Sequence, residues 1–211
     1  YQNIFKNPLA APDLIGVANG AAAGAAFSIV CLHGGTILAA GSSFVGGITA
    51  VAAVVVLAGF VRQRTSATYV LAGIAVKAAA EAFVMAMKYF ADPDKQLSAI
   101  DYWAMGSFAN ITMDKLRVIF PVFLAGFIGI ILLRWQITLL SLGDDEARML
   151  GMRVNLVRCI VLGFSTLLVA STVCVTGIIS FIGLVAPHIA RMLLKKSDFG
   201  TCILSGLTGA S

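Results

Sequence analysis

Long apolar runs separated by short polar stretches fill the chain, at 14–32, 44–61, 69–90, 116–133 and 159–194, with a further run opening at Gly200. None alternates with a period of two, so each predicts a helix rather than a strand. A stretch of about 20 apolar residues is long enough to cross a bilayer. The run 159–194 is too long for one crossing, and Gly177 is where it divides into two short spans or one span and a tilted helix. His33-Gly34-Gly35 separates the first two runs, and a polar stretch ending at Lys115 separates the third from the fourth.

Composition gives the reason for this pattern. Hydrophobic residues make up 59% of the 211 residues and charged residues 12%, with a mean hydropathy of +0.95. A soluble domain carries roughly 25% charged residues. A surface facing lipid has no need of them, which predicts an all-α, polytopic transmembrane helix bundle. At roughly 20 residues per span the length suits about six or seven crossings. The chain starts at Tyr1 without an initiator methionine and stops at Ser211 inside an apolar run, so residues 1–211 are expected to be one partial membrane domain of a longer protein.

Charge adds orientation. The net charge of +5 would suggest nucleic acid in a soluble protein, but here the basic residues sit between apolar runs. With the first span running outward, Lys6, Arg62, Arg64, Arg134, Arg148, Arg153, Arg158, Lys195 and Lys196 lie on the cytoplasmic side. Lys88, Lys95, Lys115 and Arg117 lie outside with Asp92, Asp94, Asp101 and Asp114. The excess of inner cations favours this orientation, and no nucleic-acid partner is expected. Cys31, Cys159, Cys174 and Cys202 form no CxxC pair and read as small packing residues. Dense Gly and Ala, as in Gly20-Ala21-Ala22-Ala23-Gly24, suit close helix packing.

Three polar segments carry candidate function. In 141–154, Asp144, Asp145 and Glu146 suit a helical first turn, Asp145 and Arg148 are spaced to pair, and Gly151 suits the residue after a helix end. Leu142, Met149, Leu150 and Met152 are expected to stay partly exposed, so this inner segment is either a docking surface or a helix lying on headgroups. In 7–21, Pro8 and Pro12 stiffen the approach to Gly16 and Gly20, which allow close packing. In 177–191, Pro187 kinks or starts a helix, and His188 and Arg191 share one face.

Together these segments resemble the FecCD-type permeases, the family of the vitamin B12 permease. NPLA-x-P-x-x-LG-V-x-x-GA is matched at Asn7, Pro8, Pro12, Gly16 and on to Ala21, with Ile15 for Leu. LG-x-x-x-A-x-x-LG is matched at Leu142, Gly143, Ala147, Leu150 and Gly151. G-x-I-x-F-x-GL-x-x-PH-x-x-R is matched at Gly177, Ile179, Phe181, Gly183, Leu184, Pro187, His188 and Arg191. Tyr102 to Ser107 resembles the family's outer-face helix.

The resemblance implies a subunit of roughly ten membrane helices at about 20 residues each, with this chain running from the third to the start of the ninth. It implies a homodimer in a bacterial or archaeal cytoplasmic membrane. Two ATPase subunits dock beneath, and an extracytoplasmic binding protein delivers an iron-siderophore, haem or related metal chelate. The cytoplasmic segment 134–158 becomes the ATPase-coupling region, with Leu142, Gly143, Asp145, Glu146, Ala147, Arg148, Leu150 and Gly151 as its residues. The run 69–90 becomes a path-lining helix, with Lys77, Ala78, Glu81 and Met85 along it. The implied cargo is a chelate; no cofactor or resident metal is expected on this chain, and ATP belongs to the partner subunit. No GxxxxGK[ST] loop is present, so the chain is expected to hydrolyse no ATP and to be no enzyme.

Lys77 and Glu81 depart from the family pattern. They are four apart at mid-span and can pair. An unpaired charge there costs roughly 3 kcal/mol on insertion scales, which disfavours a lipid-facing position. They read either as a self-satisfied pair packed against another helix or, preferred here, as a polar lining for a charged chelate. The same pair could serve as a coupling group in an ion-driven secondary transporter, the alternative reading. His33 and His188 lie in different segments and make no metal site, His188 being expected to hydrogen-bond in helix packing. Asp92, Asp94 and Asp101 read as a solvated loop.

Overall fold

The computed structural model describes residues 1–5, 11–61, 65–108, 111–179, 182–194 and 199–210. All regular structure among them is helical. α1 (Gln2–Phe5) and a 3-10 turn (Pro12–Ile15) precede α2 (Val17–Cys31), α3 (Thr36–Phe60), α4 (Ser66–Phe90) and α5 (Gln96–Met105). α6 (Met113–Leu132), α7 (Arg134–Leu142), α8 (Asp144–Met149), α9 (Val154–Thr176), α10 (Ile182–Leu194) and α11 (Phe199–Ala210) follow. α3, α4, α6 and α9 are long and apolar enough to cross a membrane; α2 and α10 are shorter apolar helices.

The division near Gly177 occurs where expected, at the end of α9. Two boundaries differ from expectation. The first apolar run is not one helix: Gly16, with φ 79°, turns the chain between the 3-10 turn and α2. α3 begins at Thr36, well before the apolar run at 44, because Ala39, Ala40 and Ser43 are buried there. Small residues that add little hydropathy are those a close helix contact requires.

That contact is the centre of the fold. A Cβ on Gly24 would strike the Ser42 carbonyl, and one on Gly46 would strike the Gly20 carbonyl. α2 and α3 therefore meet backbone to backbone. α3 packs in turn on α4 and α9, and α6 lies against α9, where Phe164 fills the space over Gly129. Ile15, Val17, Val54, Tyr69, Val161 and Leu162 form the buried core. Outside it, Leu71, Phe60, Val118, Phe120 and Leu132 are exposed, as suits a surface that meets lipid or further helices.

α5 closes one end of the bundle, against the C-terminal end of α2. Its Gln96 Nε2 donates to the Ile29 carbonyl at 3.2 Å, one of the carbonyls left open at the end of α2. Asp101 accepts from Lys88 Nζ at 2.6 Å. Gly106 and Gly177, both with positive φ, fit against each other, and Ser107 N–H donates to the Thr176 carbonyl at 2.6 Å. Asp92 accepts from the Asp94 N–H, so these acidic residues are engaged locally in the loop.

Candidate functional site

The segment 141–154 is built around α8, six residues long. Gly143 precedes it with φ 152° and ψ 160°, a conformation open to glycine. Asp144, Asp145 and Glu146 fill its first turn as expected, where carboxylates meet the positive end of the helix. At the other end Met152 N–H reaches the Ala147 carbonyl at 3.0 Å and Gly151 N–H the Arg148 carbonyl at 2.9 Å. With Gly151 at φ 81° this is a Schellman closure.

Leu142, Met149 and Leu150 project outward at 54%, 86% and 63% exposure. Asp145 Oδ1 and Arg148 Nη1 are 3.7 Å apart, both exposed. Glu146 is exposed beside them. Two residues expected on the coupling surface lie elsewhere. Gly143 is buried, and Ala147 packs with Leu140 and Val154 beneath α8. They seat the helix; they do not form its outer face. Met152 also belongs to this seat.

One residue of the segment has a role that spacing alone hides. Arg158, expected as an inner flanking charge, is fully buried and donates from Nη2 to Asp144 Oδ1 at 2.6 Å. Arg158 lies 14 positions from Asp144 and 92 from its second acceptor, Ser66, so no local pattern announces the cluster.

The second candidate is the face of α4. Only Tyr69 and Gly73 are buried on this helix. Lys77 Nζ and Glu81 Oε1 lie 3.8 Å apart, at 36% and 49% exposure. Ala78 is exposed, and Met85 is 72% exposed. Two partners enter from across the fold. Asn19 Nδ2 on α2 donates to Glu81 Oε1 at 2.9 Å, and Asp13 on the 3-10 turn lies within electrostatic reach of Lys77. α4 meets that turn closely, since a Cβ on Gly73 would strike the Leu14 carbonyl and one on Gly16 would sit 3.3 Å from Lys77 N. The pair is thus formed and partly open.

The first and third motifs come together. Pro12, Gly183, Pro187 and Arg191 share a cavity of about 240 Å³, and a Cβ on Gly183 would lie 3.3 Å from Pro12 Cδ. Pro187 sits inside α10 and does not start it. His188 is exposed on α10 among the described residues. Asn7 and Pro8 lie outside the described residues. Cys31, Cys159 and Cys174 are free thiols.

A glycine-packed bundle with four membrane-length helices and a short helix seated at one end defines a polytopic α-helical membrane protein. Residues 1–211 match the FecCD transport family throughout, and the chain belongs to that family. It is 33% identical to the molybdate import system permease protein MolB of Haemophilus influenzae, over 100% of this chain and 62% of the relative. It is 36% identical to a probable iron chelatin transport system permease protein of Helicobacter pylori, over 99% of this chain and 63% of the relative. The hemin transport system permease protein HmuU of Yersinia pestis is 36% identical over 90% of this chain and 58% of its own length. A solved inward-facing conformation of a metal-chelate type ABC transporter superposes with a TM-score of 0.88 at 31% identity, covering 99% of this chain and 67% of that one. The chain spans about three fifths of the length of these curated relatives, 62% of MolB.

Proposed function

We propose that this chain is the greater part of the permease subunit of an ATP-driven importer for a metal chelate or a related metal-containing anion. The observation that carries the reading is α8: a short helix with exposed Leu142, Met149 and Leu150, an acidic first turn, and a buried seat on α9. An apolar face rimmed by charge and fixed at both ends suits docking to a separate ATPase better than lying on headgroups. Two such ATPase subunits, a second permease copy and an extracytoplasmic binding protein complete the assembly in the cytoplasmic membrane. Hydrolysis takes place on the ATPase, and this chain converts its closure into alternating access.

The relatives carry molybdate, iron chelatin and hemin in their names. For this chain the half-open Lys77–Glu81 pair supports a charged chelate, an iron-siderophore among them. Glu146→Arg, or deletion of residues 143–151, is expected to leave the protein inserted while uncoupling ATP hydrolysis from uptake. Co-purification of the ATPase at unchanged yield with unchanged uptake per ATP would refute the docking role. An ion-driven secondary transporter, the reading that the same charge pair also permits, predicts uptake that needs an ion gradient and no ATPase.

A further inference from the structure

Arg158 stands where three helices meet. It lies just over one turn into α9 and is the largest fully buried side chain among the described residues. Its Nη2 reaches Asp144, the first residue of α8, at 2.6 Å and Ser66, the first residue of α4, at 3.4 Å. Its Cζ sits 5.7 Å from the centroid of the Tyr69 ring, one turn further along α4. Tyr69 is 1% exposed, and its hydroxyl lies 3.8 Å from Cys159 Sγ, back on α9.

Two physical facts follow. A guanidinium this deeply buried holds its carboxylate, because separation would leave an uncompensated charge out of water. Asp144 therefore takes Arg158 with it when α8 shifts. The connection to α4 is looser: the Ser66 bond is long, and Nε and Nη1 make no hydrogen bond among the described residues. The rigid fork therefore keeps donors in reserve beside the one that faces Ser66. A side chain held firmly by one helix and loosely by another is suited to pass displacement between them.

We propose that Arg158 is a positioning residue that hands displacement of α8 to the inner end of α4, and so to the Lys77–Glu81 face. This rests on the docking reading of α8. Energy reaching α8 from the ATPase enters α4 through Asp144, Arg158 and Ser66, with Tyr69 holding the guanidinium plane.

The test uses the full-length permease with its ATPase and binding protein in proteoliposomes. Asp144→Asn keeps an oxygen at the site and removes the charge; Ser66→Ala removes a single hydroxyl. Both are expected to retain ATPase association and hydrolysis, while uptake per ATP falls about ten-fold. Spin labels at Met149 and Met85, both exposed, read the two helices separately. On nucleotide trapping the α8 label is expected to move in every variant, and the α4 label to move in wild type alone. Arg158→Lys, which keeps charge without the fork, is expected to behave like Ser66→Ala. Wild-type movement of α4 with unchanged uptake per ATP in these variants would overturn the proposal. If Asp144→Asn does not insert, Ser66→Ala decides alone. Failure of the docking reading looks different: Glu146→Arg would then leave uptake per ATP unchanged, and the proposal would fall with it.

Discussion

Two ion pairs bear on α4, and they are opposites. Arg158–Asp144 is 2.6 Å long with the arginine at 0% exposure and the aspartate at 29%. Lys77–Glu81 is 3.8 Å long with its members at 36% and 49%. The first joins the neighbouring helices α8 and α9 and reaches α4 through Ser66; the second lies within one helix. A charge pair removed from water is stabilising only as a complete set, so it specifies geometry. A half-open pair contributes little to stability and keeps capacity to bind. The difference teaches that charge in an apolar bundle has two uses, and that exposure separates them.

The largest expected effect attacks the closed pair. Asp144→Leu leaves Arg158 without its counter-ion and is expected to cost about 3 kcal/mol, read as a lower Tm of the purified protein in detergent. A change within the error of the melt would make the two pairs equivalent. Gly73→Ala comes next, since the added Cβ meets the Leu14 carbonyl under Lys77. It is expected to cost about 2 kcal/mol and to lower uptake by displacing α4 from its turn.

Lys77→Ala with Glu81→Ala is expected to shift stability by less than about 1 kcal/mol, while uptake into vesicles falls. Uptake at the native rate would remove the binding role of the open pair. The smallest effect belongs to the exposed Asp145–Arg148 pair on α8. Asp145→Ala is expected to cost about 0.3 kcal/mol, near the limit of a thermal melt.

The helices were legible because lipid imposes long apolar runs. α4, α6 and α9 lie where those runs predict them. The α8 segment was legible for a local reason: acidic first turn, Asp145–Arg148 spacing and terminal Gly151 all act within a few residues. What escaped is long-range. Asn19 meets Glu81 from 62 positions away, and Ser66 meets Arg158 from 92. A basic residue beside a span ordinarily marks the headgroup boundary, so Arg158 gives no sign of burial in the sequence alone. Ala147 and Gly143 match the motif for their smallness, which seats α8, and not for any outward contact.

The glycine seam between α2 and α3 has a mechanical consequence. Where main chains touch directly, no side-chain rotamers are available to absorb sliding, so these two helices travel as a single keel. The chain turns at both ends of that keel's first helix, at Gly16 and at His33, where φ is positive.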